Sequence, residues 1–233
     1  MRPIQIVSVD LFNTLVDLSN VRLALWQTVL GKASTPERIK QVMASNTQMI
    51  FSTLDQINVT SVYQPIRAVY KTCFSEVFKR FQIVFDPQAA AEFLICRHAQ
   101  SPWFPAAVPW LENMRRSFRV CLSSDTDEAM VGEHIREYPF DMFFTSEGLG
   151  AYKGDSKNRF FEAVAAHYAL PPWQIFHVGD SPSEIAAAQR AGLQTCWVNR
   201  NGLAWPFEDL PDYEVASLEA IIAIFEDVDQ ISL

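Results

Sequence analysis

The chain has 233 residues, a net charge of −8, 49% hydrophobic residues and 20% charged ones. It is long enough to bury a large core, and its acidic balance excludes bulk nucleic-acid binding. No apolar run approaches the ~18 residues of a membrane helix and no basic-then-apolar leader precedes the first strand, so the expectation is a cytoplasmic protein without a membrane partner. The four cysteines, Cys73, Cys96, Cys121 and Cys196, form no C-x-x-C pair and read as reduced. Charge is uneven. Residues 19–100 carry nine Lys or Arg against five Asp or Glu, a local +4 that leaves −12 for the remainder. A basic segment beside an acidic one suits a small anionic substrate, although solvated basic helix faces give the same count.

The apolar run at residues 4–9 is that of a strand buried on both faces, and it delivers Asp10 into a turn. In open α/β sheets the ligand crevice lies past the carboxyl ends of such strands, so an acid there is placed for chemistry. Helical spacing follows: Leu23, Trp26, Val29 and Leu30 share one face, as do Ile66, Val69, Tyr70 and Phe74, and most of residues 19–100 reads as helix. Ser34 and Thr35 before Pro36 and Glu37 mark a helix start. Pro102 and Pro105 then force a break. Beyond it, strands at residues 118–122, 142–145, 175–178 and 194–198 alternate with helices at 128–138, 157–168, 184–191 and 218–225. This alternation predicts a parallel sheet with right-handed crossovers.

Four segments in chain order resemble the motifs of the haloacid dehalogenase (HAD) superfamily. They are the Asp10-Leu11-Phe12-Asn13-Thr14 turn, the strand ending at Ser123, Lys153 in its Gly150–Asp155 surroundings, and Gly179-Asp180-Ser181-Pro182 with Glu184. The resemblance implies an α/β, Rossmann-like parallel core from residues 1–18 and 101–233, with an α-helical cap inserted at 19–100. It implies a hydrolase in which Asp10 attacks phosphorus and water cleaves the resulting aspartyl ester. Asp10, the backbone carbonyl of Phe12, Asp180 and Glu184 would hold Mg²⁺, a hard cation that favours oxygen ligands. Lys153 would neutralise phosphoryl oxygens, Ser123 would donate to one of them, and Thr14 would orient the turn. Asn13, Ser124, Ser123 and Lys153 are the substrate-contact candidates, with Ser123 and Ser124 separated by one residue of alignment. Glu184 stands where relatives have Asp, and its longer stem reaches either a metal-bound water or the helix dipole. Asp125 and Asp127 read as caps of the following helix. His177 reads as packed in its strand, and His98, His134 and His167 as surface or helix residues.

Phe12 is the main departure from the pattern. Most phosphatases of the family have a second Asp there, which protonates the leaving group, and general acid–base help is worth ~10²–10⁴-fold. Phenylalanine leaves an activated substrate such as an acyl phosphate, a 2-haloacid with a halide leaving group, a phosphonate cleaved through an imine on Lys32, Lys40, Lys71 or Lys79, or a binding protein that kept the scaffold. The segment corresponding to Gly179-Asp180 resembles Ser-Ser-Asn in the dehalogenases, which need no metal. They also carry a cap arginine that grips the substrate carboxylate, whereas residues 41–55 here hold no Arg or Lys, leaving Arg38 or Lys40. Two carboxylates such as Asp10 and Asp180 close together are costly without a cation between them, which favours metal-dependent phosphorus chemistry.

Overall fold

The computed structural model describes residues 4–231. Six strands form one parallel sheet in the order β3-β2-β1-β4-β5-β6. They are β1 (Ile6–Val9), β2 (Arg119–Ser124), β3 (Phe143–Thr145), β4 (Ile175–Gly179), β5 (Gln194–Val198) and β6 (Tyr213–Val215). All of β1 and β4 is buried, because helices cover both faces. Alternation along β1 separates two cores. Val7 and Val9 face α5 (Ala107–Met114) and α10 (Ala220–Ile231), while Ile6 packs with α8 (Arg159–Tyr168) and α9 (Pro182–Arg190).

Between β1 and α5 lies a helical insert of α1 (Val21–Leu30), α2 (Pro36–Thr60), α3 (Ile66–Phe81) and α4 (Pro87–Ala99). Pro36 opens α2 as expected, with Thr35 Oγ1 accepting from the Arg38 amide. The insert has its own core, centred on Trp26, Phe74 and Phe78. In α1 the buried stripe is Val21, Leu25, Trp26, Val29 and Leu30; Leu23, expected among them, points outward. A second cluster joins insert to sheet: Ile57, Ile66, Val69, Cys73 and Ile95 meet Met130 and Tyr152.

The continuous helix expected over residues 128–138 is absent. A 3₁₀ turn (Glu128–Met130) is separated from α6 (Glu133–Arg136) by an extended Val131 and Gly132. A Cβ on Gly132 would lie 2.0 Å from the Ala99 carbonyl, so the chain here makes a close passage under α4 that only glycine permits. Helix α5 and the short α7 (Ser146–Leu149) appear where no element was expected. Pro109 falls in the first turn of α5, where its missing N–H has no intrahelical partner to lose. Among the described residues, no helix is long and apolar enough to cross a membrane.

Candidate active site

The sheet positions the site. Asp10 follows β1, its amide continuing the ladder to the Val178 carbonyl at 2.9 Å; Ser124 ends β2; Asp180 follows β4. All lie at carboxyl strand ends, where β1 leads to β2 on one side and borders β4 on the other. Lys153, in the loop after α7, reaches the same point with only 1% of its surface exposed. Its Nζ donates to Asp10 Oδ1 at 2.6 Å and to Glu184 Oε2 at 2.5 Å. Its backbone amide donates to Asp125 Oδ1 at 2.8 Å.

Asp10, Asp180 and Glu184 each offer one oxygen within 4.8 Å of the others. Burial and the Glu184 carboxylate raise Asp10 to about 7, against the pull of Lys153. Burial, Glu184 and Asp10 likewise push Asp180 well above the usual carboxylate range. Glu184 goes the other way: burial opposes its ionisation, but the Lys153 ammonium outweighs this and holds it at about 2. Burial also raises Asp125 to about 6. Lys153 would be lowered by burial, yet Asp10 and Glu184 keep it firmly protonated. One ammonium therefore faces three carboxylates, a hard-oxygen set with surplus negative charge that fits a divalent cation.

Of the two roles open to it, Glu184 takes the one at the helix N-terminus, and its other oxygen meets Lys153. Its Oε2 takes the lysine, and its Oε1 accepts from the Ser181 amide in a capping box at the start of α9. This fold-back requires Gly179, since a Cβ there would lie 2.1 Å from Glu184 Oε1. Thr14 Oγ1 donates to Asp180 Oδ1 at 3.4 Å, tying the first turn to the end of β4.

The two serines differ. Ser123 shares the sheet face of Cys121, and its hydroxyl accepts from Ser8 Oγ at 2.8 Å, with Ser8 also 3.0 Å from His177 Nδ1. Ser124, one residue on, lines the cavity beside Asp10, and its hydroxyl has no protein partner. The cavity, about 210 Å³, is lined by Asp10, Phe12, Ser124, Asp125, Lys153, Asp180 and Glu184, and closed from the insert by Phe51, Leu54, Asp55 and Asn58 of α2. Asn13 lies outside it, with a positive φ of 59°. It borders a second groove of about 810 Å³, into which Arg22 and Lys40 project with no carboxylate among the lining residues. The ring of Phe12 meets His98 edge-on at 4.8 Å. His98, expected as a surface or helix residue, lies in α4 but is buried, its Nδ1 2.7 Å from the Leu94 carbonyl, and burial lowers it to about 4.

Asp125 and Asp127 do not cap the helix after them. Asp127 instead caps α3 from across the junction, accepting from the amides of Ile66 at 2.7 Å and Arg67 at 2.8 Å. The signal was present at the other end: α3 starts after Pro65, which carries no capping side chain. Arg38 donates to the Phe81 carbonyl, and Lys32, Lys40, Lys71 and Lys79 are exposed and outside the cavity beside Asp10.

The haloacid dehalogenase-like hydrolase family model matches residues 4–192. The chain therefore belongs to this family of hydrolases. It is 33% identical over 122 residues to an (S)-2-haloacid dehalogenase of Pseudomonas sp. strain YL, covering 49% of this chain and 51% of that one. It is 25% identical over 103 residues to an enolase-phosphatase E1 of Marinobacter nauticus, covering 44% and 42%. These matches span about half the length of either relative. In fold it resembles an L-2-haloacid dehalogenase crystal structure with a TM-score of 0.80 at 18% identity, over 96% of this chain and 99% of the other.

Proposed function

We propose that this hydrolase is a Mg²⁺-dependent phosphohydrolase for a small anionic substrate carrying a good leaving group, with residues 19–100 acting as a cap over a core of residues 1–18 and 101–233. The observation that carries this reading is the carboxylate set of Asp10, Asp180 and Glu184, whose oxygens lie within 4.8 Å of one another. Asp10, Asp180, Glu184 and the Phe12 carbonyl would hold the ion. Bound there, Mg²⁺ would supply positive charge to phosphoryl oxygens and keep Asp10 ionised.

Asp10 supplies the nucleophilic oxygen: a new O–P bond forms as the bond to the leaving group breaks, and the leaving group departs with the electron pair. Water then attacks the aspartyl ester at phosphorus and frees Asp10. Lys153, already within 2.6 Å of Asp10, neutralises the incoming anion and orients the nucleophile. The unpartnered Ser124 hydroxyl is the donor placed to reach a substrate oxygen, while the Ser123 hydroxyl is engaged by Ser8. Thr14 and Asn13 set the turn. Phe12 provides no proton, which restricts the leaving group to one that departs as a stable anion, as from an acyl or aryl phosphate. A cavity of about 210 Å³ limits substrate size, and Arg22 and Lys40 add attraction for an anion nearby.

A second reading, hydrolysis of a 2-haloacid through the same Asp10, is favoured by Phe12 itself, because halide needs no proton donor, and by the likeness to the Pseudomonas dehalogenase. Parallel assays separate the two. Turnover of acetyl phosphate and p-nitrophenyl phosphate that needs Mg²⁺ and disappears in Asp10→Asn supports the first. Chloride release from L-2-chloropropionate in EDTA, without phosphate release, replaces it with the second.

A further inference from the structure

We infer that Arg200 is a positioning residue, a guanidinium clamp that holds the nucleophile-bearing turn in register with Asp180. It follows β5 by two residues and lies outside the four motif segments. Its Nη1 donates to the Asn13 carbonyl at 2.6 Å and its Nη2 to the Thr14 carbonyl at 2.8 Å. Its guanidinium also lies 4.4 Å from the centre of the Phe104 ring. Phe104 itself donates from its amide to the Leu15 carbonyl at 2.8 Å, so three successive carbonyls of the turn are gripped from outside. Among the described residues Arg200 forms no ion pair with a carboxylate, and both donors go to backbone.

The turn needs such a grip. Asn13 is held at a φ of 59°, a conformation that asparagine tolerates and most residues avoid. Its amide closes on the Val16 carbonyl at 2.7 Å, and Thr14 then reaches Asp180. On the far side, Trp197 Nε1 donates to the Asp180 carbonyl at 2.9 Å. The end of β5 thereby fixes both acids, Asp180 through Trp197 and the Asp10 turn through Arg200. A fork of fixed geometry suits two adjacent carbonyls, and a lysine ammonium cannot span them in the same way.

The clamp rests on Asp10 being the nucleophile, which both readings above share. Displacements of about 1 Å at a reacting group cost up to ~10²-fold, so Arg200→Ala should lower kcat ~10–100-fold with KM within about twofold. Millimolar guanidinium should restore part of the Ala loss, while Arg200→Lys should stay impaired and unresponsive. Amide exchange at residues 13, 15 and 16 should accelerate in both variants with the β1 amides unchanged. Unaltered exchange there, or kcat within twofold of wild type in Arg200→Lys, overturns the clamp. Should Arg200→Ala fail to fold, Arg200→Lys carries the same comparison. A wild-type protein inert toward both p-nitrophenyl phosphate and L-2-chloropropionate would sink the proposed function, and exchange would still decide the clamp.

Discussion

The carboxyl end of the sheet and the helical insert above it are built from opposite materials. At the sheet end, Asp10, Lys153 and Glu184 are buried together as charges. In the insert, Asn46 and His98 are the buried polar residues among those described, within a core of aliphatic and aromatic side chains, and its lysines are exposed. Crowded like charges are unfavourable to folding unless something compensates them, whereas an apolar core stabilises without conferring chemistry. Substitutions at the sheet end should therefore act on turnover, and substitutions in the insert or at its junction on stability.

The strongest test of that contrast is Asp10→Asn. Loss of a covalent nucleophile should reduce kcat on the order of 10⁶-fold. Differential scanning calorimetry should show the melting temperature of the metal-free variant unchanged or raised, because one of three repelling carboxylates is gone; a marked fall would mean the cluster is a structural element. Phe12→Asp comes next. A carboxyl beside the cavity should raise activity toward alkyl phosphates by ~10²–10⁴-fold, measured as inorganic phosphate release, and no gain would show that proton donation is not what the site lacks.

On the insert side, His98 reports through pH. Its folded value of about 4 lies below the ordinary 6.5, so the unfolded chain binds a proton that the folded one resists. Stability should be complete above pH 6.5 and fall as pH drops toward 4, by up to ~3 kcal/mol, and His98→Gln should flatten that segment of the urea-denaturation profile. The smallest effect is expected for Asp127→Ala, which removes the cap of α3 and should cost ~1–2 kcal/mol with kcat unchanged. Equal loss of kcat would move Asp127 into the catalytic group.

The same contrast explains what could be read from the chain. Strands β1, β4 and β5 were legible because burial on both faces imposes continuous apolar runs. The acids after β1 and β4 were legible because a parallel sheet gathers such residues at one edge. Ser123 and Ser124 could not be told apart by type; the two-residue period of β2 sends one to Ser8 and the other to the cavity. The partners of Asp127 lie about 60 residues away on α3, those of Arg200 on the first turn, and the break at Gly132 reflects the passing Ala99 carbonyl. Local pattern carries no information about such contacts.

The most direct measurement is ¹⁹F NMR of the protein with Mg²⁺ and beryllofluoride, which mimics a phosphoryl group on an aspartate. A set of bound-fluoride resonances in the wild type, absent in Asp10→Asn and abolished by EDTA, is the expected result. No bound resonance, together with chloride release from a 2-haloacid in EDTA, would contradict a metal-assisted phosphoryl transfer to Asp10.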